Sequence, residues 1–218
     1  TDGLGSERLS FPLELTEITP GEPVKRDGYV MLPFPVNHRH QLAVGWALIE
    51  EERRGRFDPE LARSMGIPEG PLWGKIHRGE RITLEDGRVV ESSVLVGPTR
   101  VGRRVVITGD TRPCDATVAA STGADVIVHE ATFGDDEAAR AVETGHSTAR
   151  EAADVAARAG ARRLVLTHFS ARYSNDPSDL AREARERFSA TQCARDGMIL
   201  DVPFADADPL DASAPGNA

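Results

Sequence analysis

The chain has 218 residues, of which 39% are hydrophobic and 28% are charged. This composition suits a globular protein with a real core, and because no apolar run approaches the roughly 20 residues that cross a bilayer, a membrane protein is not expected. A net charge of -9 argues against nucleic-acid binding over the whole surface. Two cysteines are too few for a disulfide scaffold or a cysteine zinc site, and they favour the cytoplasm.

The first 52 residues predict strands of a sheet. FPLELTEI, at 11–18, alternates apolar and polar residues with period two, as a half-buried strand does. YVMLPFPVN, at 29–37, predicts a second strand that runs into His38, and VGWALIEEE, at 44–52, predicts a third. Residues 1–52 are therefore expected to supply strands to the main domain.

Residues 53–98 break that pattern and predict an inserted arm. A short helix is expected at about 59–65, followed by glycine and proline turns and a hairpin at Asp86-Gly87. The stretch has little apolar periodicity of its own, so few apolar contacts are expected. The region 53–104 holds 11 Lys and Arg against 7 Asp and Glu, a net of +4 in an acidic chain, which suits contact with phosphate.

From residue 99 to 204 the sequence alternates buried strands with helices, which predicts an α/β layered domain. Its segments are, in order, RRVVITGD, DATVAASTGA, DVIVHEAT, HSTAREAADVAARAGA, RRLVLTHFS and a polar helix near 178–188. The last stretch, 205–218, has no core-forming content and is predicted to be a disordered tail.

Acids and histidines follow three consecutive predicted strands: Asp110, the pair His129-Glu130, and His168. Open α/β sheets bind ligands at this edge, and a hydrolytic metal centre needs carboxylates and imidazoles that converge from separate strands. Taken singly, Asp110 could be a helix N-cap and His168 a core histidine. Chance placement of acids and histidines at several strand ends explains the pattern less well than their convergence on one site, so the sequence favours a metal site.

Four motifs follow one another in this half of the chain: GDTRPC (109–114), HEATF (129–133), GHSTAREAA (145–153) and LTHFSARY (166–173). In this order and at these separations they resemble ribonuclease Z, the tRNA 3′-processing endonuclease of the metallo-β-lactamase superfamily. The resemblance covers nearly all of residues 29–203. It implies a metallo-β-lactamase-like αββα layered sandwich, of which this chain holds the C-terminal part with an inserted exosite arm.

The resemblance implies two zinc ions in a complete active site. The metal ligands of the family correspond here to His38, Asp110 and His168, with Asp110 bridging the two ions. His40 lies two residues beyond His38 and remains an alternative to it.

The resemblance also assigns a proton-donating pair for the leaving 3′ oxygen, which corresponds to Glu130 and His146. A carboxylate beside an imidazole holds the tautomer of the ring, which suits a general acid. Ser170 and Arg172 are expected to contact phosphate, with a structural ion pair as the alternative for Arg172.

The arm matches the flexible exosite with which these enzymes grip tRNA away from the cleavage site. Its Gly-Pro motif corresponds to Gly70-Pro71, and the cations that follow are Lys75, Arg78 and Arg81. The alternative is an ordinary solvated surface loop.

The family's His-x-His-x-Asp-His motif, which supplies further ligands and the general base, is not among these residues; the six histidines stand at 38, 40, 77, 129, 146 and 168. The sequence is therefore interpreted as the C-terminal part of an enzyme that cleaves precursor tRNA after the discriminator nucleotide with zinc-activated water. A catalytically inactive tRNA-binding or dimerisation fragment and another phosphodiesterase of the superfamily are the alternatives. The resemblance also implies precursor tRNA as partner and a homodimer, and the lack of a long apolar run predicts no membrane attachment.

Overall fold

A computed structural model describes residues 11–39, 41–173 and 175–205 of the chain. The elements before and within the arm are β1 (Val24–Arg26), β2 (Tyr29–Pro35), β3 (Val44–Glu50), α1 (Pro59–Ser64), α2 (Pro71–His77), β4 (Ile82–Thr83), β5 (Val89–Val90) and α3 (Ser92–Leu95). Those that follow are β6 (Arg104–Ile107), α4 (Asp115–Ala120), β7 (Val126–Glu130), α5 (Ala138–Thr144), α6 (Ala149–Ala159), β8 (Leu164–Thr167), α7 (Ser178–Arg185) and β9 (Thr191–Cys193).

A seven-stranded mixed sheet organises the chain, with strand order β1-β2-β3-β6-β7-β8-β9. The pairs from β1 to β6 are antiparallel, and those from β6 to β9 are parallel and joined by helices. Parallel strands end at the same edge of a sheet, so the segments that follow β6, β7 and β8 are brought together. The α/β layered prediction is confirmed, and this edge is where the predicted catalytic and metal-binding residues lie.

The main core lies on one face of the sheet. Alternate strand residues such as Ala47, Val106 and Ile127 are fully buried there, against a stripe of alanines along α6. The alanines are Ala149, Ala152, Ala153 and Ala156, whose helical spacing keeps them on one face of α6. Helix α6 begins at a capping box between Thr148 and Glu151, which fixes the start of the loop that precedes it.

The opposite face of the sheet is also apolar. The register pairs Trp46 with Ile107 and Leu48 with Val105, which places these four side chains together on the face away from the main core. Ile107 is 51% exposed, and the other three are half-buried. Apolar side chains therefore reach the surface on this face.

The arm is a small folded unit with a core of its own. Its buried residues are Ala62, Ile67, Ile76, Ile82, Val90 and Leu95. The expectation of few apolar contacts was therefore wrong; the buried residues come from short elements that each contribute one or two, so no long periodic pattern is visible in the sequence. Helix α1 and the turn at Asp86-Gly87 between β4 and β5 agree with the prediction.

The predicted strand at 11–18 does not form. Phe11, Leu13 and Leu15 are all at least half exposed, and the described sheet begins with β1. Alternation stabilises a strand only where one face is buried against a partner, and this segment has none among the described residues.

The short elements β1, β9, α2, α3 and α5 were not predicted. Most of the predicted tail, 206–218, lies outside the described residues, and no described helix has the length and apolar content to span a bilayer.

Candidate metal and acid–base site

The predicted catalytic and metal residues of the described chain meet at one edge of the main sheet. His38 follows β2, Asp110 follows β6, and Glu130 ends β7. His168 follows β8, and His146 lies in the loop between α5 and α6. Residues that are up to 130 positions apart in sequence (38 and 168) thus share one cluster because the strands that carry them are neighbours in the sheet.

Glu130 is the hydrogen-bonding centre of the cluster. Its side chain is 1% exposed, and its Oε1 accepts from the Thr111 N–H at 2.8 Å and from His146 Nδ1 at 2.8 Å. Its Oε2 accepts from the Thr132 hydroxyl at 2.7 Å and from the N–H groups of Thr132 and Ser147 at 3.2 and 3.0 Å. Three of these donors are backbone N–H groups, which can only donate, and they reach both oxygens, so the geometry suits the ionised carboxylate. The carboxylate is therefore fixed in position.

His146 is held by this carboxylate. Because the Glu130 oxygen accepts, Nδ1 of the ring carries the proton, and Nε2 remains available for chemistry. The ring lies between two others: its centroid is 5.0 Å from that of His38 and 5.2 Å from that of His168, onto which it stacks. The structure thus brings the two residues of the predicted proton-donating pair into direct contact; their role stays a prediction.

The donor atoms could hold a metal ion. His38, Asp110 and His146 have ligand atoms within 4.8 Å of one another, as do Glu130, His146 and His168. His168 Nε2 lies 3.4 Å from Asp110 Oδ1. Imidazole nitrogens and a carboxylate oxygen are ligands that zinc accepts, so the donor set fits the predicted ion.

His38 is oriented for such a role. Its Nδ1 lies 3.1 Å from the Gly145 carbonyl, which accepts, so Nε2 is left unprotonated in the neutral ring. The alternative ligand, His40, lies outside the described residues. His146 also belongs to the donor cluster, although the sequence assigned it to proton transfer and not to metal binding.

Arg112 joins the loops of the site, which the sequence did not predict. Its guanidinium donates to the His146 carbonyl at 2.7 Å and forms a bidentate ion pair with Glu151 at the start of α6. Its backbone N–H donates to the Asn37 carbonyl at 2.7 Å. The loops that carry His38, Asp110 and His146 are therefore tied together by one residue of the GDTRP motif.

His129, next to Glu130, is fully buried and outside the donor cluster. Its Nδ1 donates to the Glu130 carbonyl at 2.7 Å, and its Nε2 has no hydrogen-bond partner. Burial lowers the pKa of His129, so its ring is neutral in the folded chain. This side chain is a structural neighbour of the site and adds no donor to it.

The predicted phosphate contacts have other partners in this structure. Arg172 forms ion pairs with Glu137 at 3.0 Å and with Asp136 at 4.0 Å, the arrangement expected from the structural alternative. The Ser170 N–H donates to the Thr132 carbonyl at 3.1 Å, which places Ser170 beside the cluster. Phosphate binding by these two residues stays a prediction.

The predicted substrate residues of the arm are exposed. Gly70, with φ of +134°, precedes Pro71 at the start of α2; Lys75 lies in the last turn of that helix. Arg78 follows the helix and pairs with Glu80, and Arg81 is exposed. The arm joins the sheet where β3 ends and β6 begins, which is the end of these strands opposite the donor cluster.

Comparisons with known proteins agree with this architecture. Residues 76–169 match the family model described as a Beta-lactamase superfamily domain. The solved metallo-beta-lactamase fold protein YhfI from Bacillus subtilis is similar with a TM-score of 0.50 at 19% identity, over 83% of this chain and 52% of that chain. The predicted fold class is confirmed.

Curated relatives are considerably closer in sequence. The chain is 60% identical over 204 residues to a protein of Gemmatimonas aurantiaca named Ribonuclease Z, covering 93% of this chain and 65% of that protein. It is 54% identical over 204 residues to a Ribonuclease Z of Myxococcus xanthus, covering 93% of this chain and 66% of that protein. The chain thus spans slightly less than two thirds of the length of these relatives.

Proposed function

Because the chain belongs to the ribonuclease Z family and spans 65% of the length of its relative from Gemmatimonas aurantiaca, we propose that it forms part of a tRNA 3′-end processing endonuclease. It would supply the proton donor, part of the metal site and the arm that binds the substrate. The observation that carries the proposal is the contact between Glu130 and His146, at 2.8 Å, inside a cluster of metal-ligand atoms.

His146 would protonate the leaving 3′ oxygen. Its Nδ1 is engaged by Glu130, so the proton it delivers leaves from Nε2, the atom that faces away from the carboxylate. The ionised Glu130 stabilises the imidazolium and fixes the ring plane, as the carboxylate of a catalytic triad does for its histidine. The four other hydrogen bonds to Glu130 hold the carboxylate still while the ring gains and loses a proton.

His38, Asp110 and His168 would hold zinc in this part of the site. Zinc bound there supplies Lewis-acid chemistry for the hydrolysis of a phosphodiester. The His-x-His-x-Asp-His motif is not found in the 218 residues. We propose that the remaining ligands and the general base come from a segment that corresponds to the part of the relatives that this chain does not span. Two zinc ions would then occupy the complete site.

The arm would bind precursor tRNA at a distance from the reaction. Lys75, Arg78 and Arg81 are exposed on or beside α2, in a region with a net charge of +4. The seven residues of β3 separate the root of the arm from the donor cluster, which is about 20 Å at the rise of a strand. A substrate that touches both must be long, and its phosphates would pair with the cations. Assembly as a homodimer stays a prediction.

The test is a chimera in which the Gemmatimonas aurantiaca relative supplies the segment that this chain does not match. Incubated with zinc and precursor tRNA, it should release a product that ends at the discriminator nucleotide, as read by sequencing the 3′ end. His146→Ala should lower turnover by about 100-fold or more, the scale of a lost general acid, with the zinc content after dialysis unchanged. Arg158→Ala, which removes an exposed ion pair with Asp115, is the control and should cleave normally.

Other outcomes of this experiment would support the alternative functions or contradict the role proposed for His146. A chimera that folds and binds precursor tRNA without cleaving it supports the inactive RNA-binding alternative. Cleavage of small phosphodiesters but not of precursor tRNA supports another hydrolase of the superfamily. Loss of zinc in His146→Ala would make His146 a ligand and contradict its assignment as the proton donor.

A further inference from the structure

Thr132 connects the acid–base pair to a proposed metal ligand. Its hydroxyl oxygen lies 2.7 Å from Glu130 Oε2 and 2.9 Å from His168 Nδ1. These contacts complete a continuous hydrogen-bonded chain from His146 through Glu130 and Thr132 to His168. Thr132 is not among the residues predicted from the sequence, since a threonine within a strand-end motif has no distinctive signal.

We propose that Thr132 is a positioning residue that fixes the tautomer of His168 and keeps its Nε2 free to bind a metal ion. The metal-binding consequence rests on the proposed function, in which His168 is a ligand. The tautomer itself follows from the hydrogen bonds alone.

The direction of each hydrogen bond is determined by a count of protons. A hydroxyl group has one hydrogen, so Thr132 can donate to one of its two neighbours. Glu130 is an ionised carboxylate with no proton to give, and it must therefore accept the hydroxyl hydrogen. The contact with His168 then requires the ring to donate, so Nδ1 of His168 carries the proton and Nε2 does not.

The main chain of Thr132 holds the hydroxyl in place. The Thr132 N–H donates to Glu130 Oε2 at 3.2 Å, and the Thr132 carbonyl accepts from the Ser170 N–H at 3.1 Å. Thr132 is 7% exposed, so water has little access to replace the hydroxyl. His168 itself has a left-handed backbone, with φ of +57°, which a non-glycine residue adopts only where its surroundings hold it.

The consequence appears on the other side of the ring. Nε2 of His168 faces Asp110 Oδ1 at 3.4 Å, and with the proton on Nδ1 both atoms carry lone pairs. Two acceptors facing each other attract a cation between or beside them. If the proton moved to Nε2, it would be donated to Asp110, and both predicted ligands would be occupied by each other. The Thr132 hydroxyl prevents this closed pair.

The tautomer can be measured in the metal-free chain. Long-range correlation of ring protons with ring nitrogens in a sample with ¹⁵N-labelled histidine, at alkaline pH where imidazoles are neutral, reports which nitrogen carries the proton. The unaltered chain should have His168 protonated on Nδ1. Thr132→Val keeps the shape and removes the hydroxyl, and it should move the proton to Nε2; Thr132→Ser should restore Nδ1. Thr117→Val, at a fully buried threonine of α4, is the matched control and should leave His168 unchanged.

Zinc affinity gives a second readout, measured by competition with a chromophoric chelator. Thr132→Val should bind zinc about 10- to 100-fold more weakly, the scale found for partners of metal-ligating histidines, and Thr132→Ser should bind normally. His168 protonated on Nε2 in the unaltered chain would overturn the proposal whether or not any variant folds, as would an unchanged tautomer in a folded Thr132→Val. If His168→Ala binds zinc as tightly as the unaltered chain, His168 is not a zinc ligand and the proposed metal site is contradicted. The tautomer of His168, measured in the metal-free chain, is not affected by that result.

Discussion

Replacing Glu130 with Gln should destabilise the fold substantially, although the two side chains have nearly the same shape. All five donors around Glu130 point at carboxylate oxygens, two at Oε1 and three at Oε2. An amide must present its NH₂ group to one of these sets. In one orientation it faces the Thr111 N–H, and in the other it faces the N–H groups of Thr132 and Ser147, which cannot turn away because they belong to the backbone.

The magnitude follows from the number of bonds lost. Each hydrogen bond to a charged group contributes about 1.5 to 3 kcal/mol, and a buried donor without an acceptor costs about as much. Either orientation of the amide loses at least one backbone bond, and the bonds to the remaining oxygen become weaker because the charge is gone. The expected loss is about 3 kcal/mol, which corresponds to a fall in Tm of about 6 to 12 °C for a chain of this size.

The assay is thermal and urea unfolding followed by circular dichroism, with Glu69→Gln as the control. Glu69 is 63% exposed in a surface ion pair with Arg63, and its replacement should change stability by less than about 0.5 kcal/mol. If Glu130→Gln unfolds within about 2 °C of the unaltered chain, the hydrogen bonds around Glu130 contribute much less than about 3 kcal/mol to the stability of the fold.

Two further predictions concern a buried ring and the arm. Burial lowers the pKa of His129, so below about pH 6.5 the unfolded chain binds a proton at this ring while the folded chain does not. The free energy of unfolding is therefore unaffected by His129 above that pH and falls by up to about 1.4 kcal/mol per pH unit below it. His129→Asn should lose less stability than the unaltered chain between pH 7.5 and 5.5 in urea unfolding, and a pH-independent difference would contradict this. In the chimera, replacing Lys75, Arg78 and Arg81 together with Ala should raise the KM for precursor tRNA and flatten its salt dependence while a small phosphodiester is hydrolysed normally. Unchanged kinetics on both substrates would indicate that the arm is an ordinary surface loop with no role in substrate binding.

The parts of the fold that the sequence predicted are those whose pattern is local. The apolar runs of β7 and β8 and the alanine-rich run of α6 are readable because each follows a rule within a few residues. Strands β1 and β9 have three residues each and depend on a neighbour for their existence, so their own composition does not distinguish them from loops. The segment at 11–18 has a clear alternating pattern and still forms no strand, because no partner among the described residues covers it.

The same distinction applies to the site. The motifs identified Glu130 and His146, but the partners that orient them are remote in sequence. Thr132 meets a ring 36 positions away, and Arg112 pairs with a carboxylate 39 positions away. Such contacts exist only after the strands align, so composition and spacing could not reveal them. Arg172 shows the reverse: its position near the motif suggested phosphate, and the fold supplied Glu137.

The attachment of the arm allows the arm and the donor cluster to change independently. Its two ends, at Arg53 and Arg100, exchange backbone hydrogen bonds of 2.7 and 2.8 Å, so the chain leaves and re-enters the sheet at almost the same point. An insertion with adjacent ends can be lengthened, shortened or exchanged at little entropic cost to the strands that carry it. Because the strands keep their register and the donor cluster lies at their far end, an exchange of the arm would leave the geometry of the donor cluster unaltered.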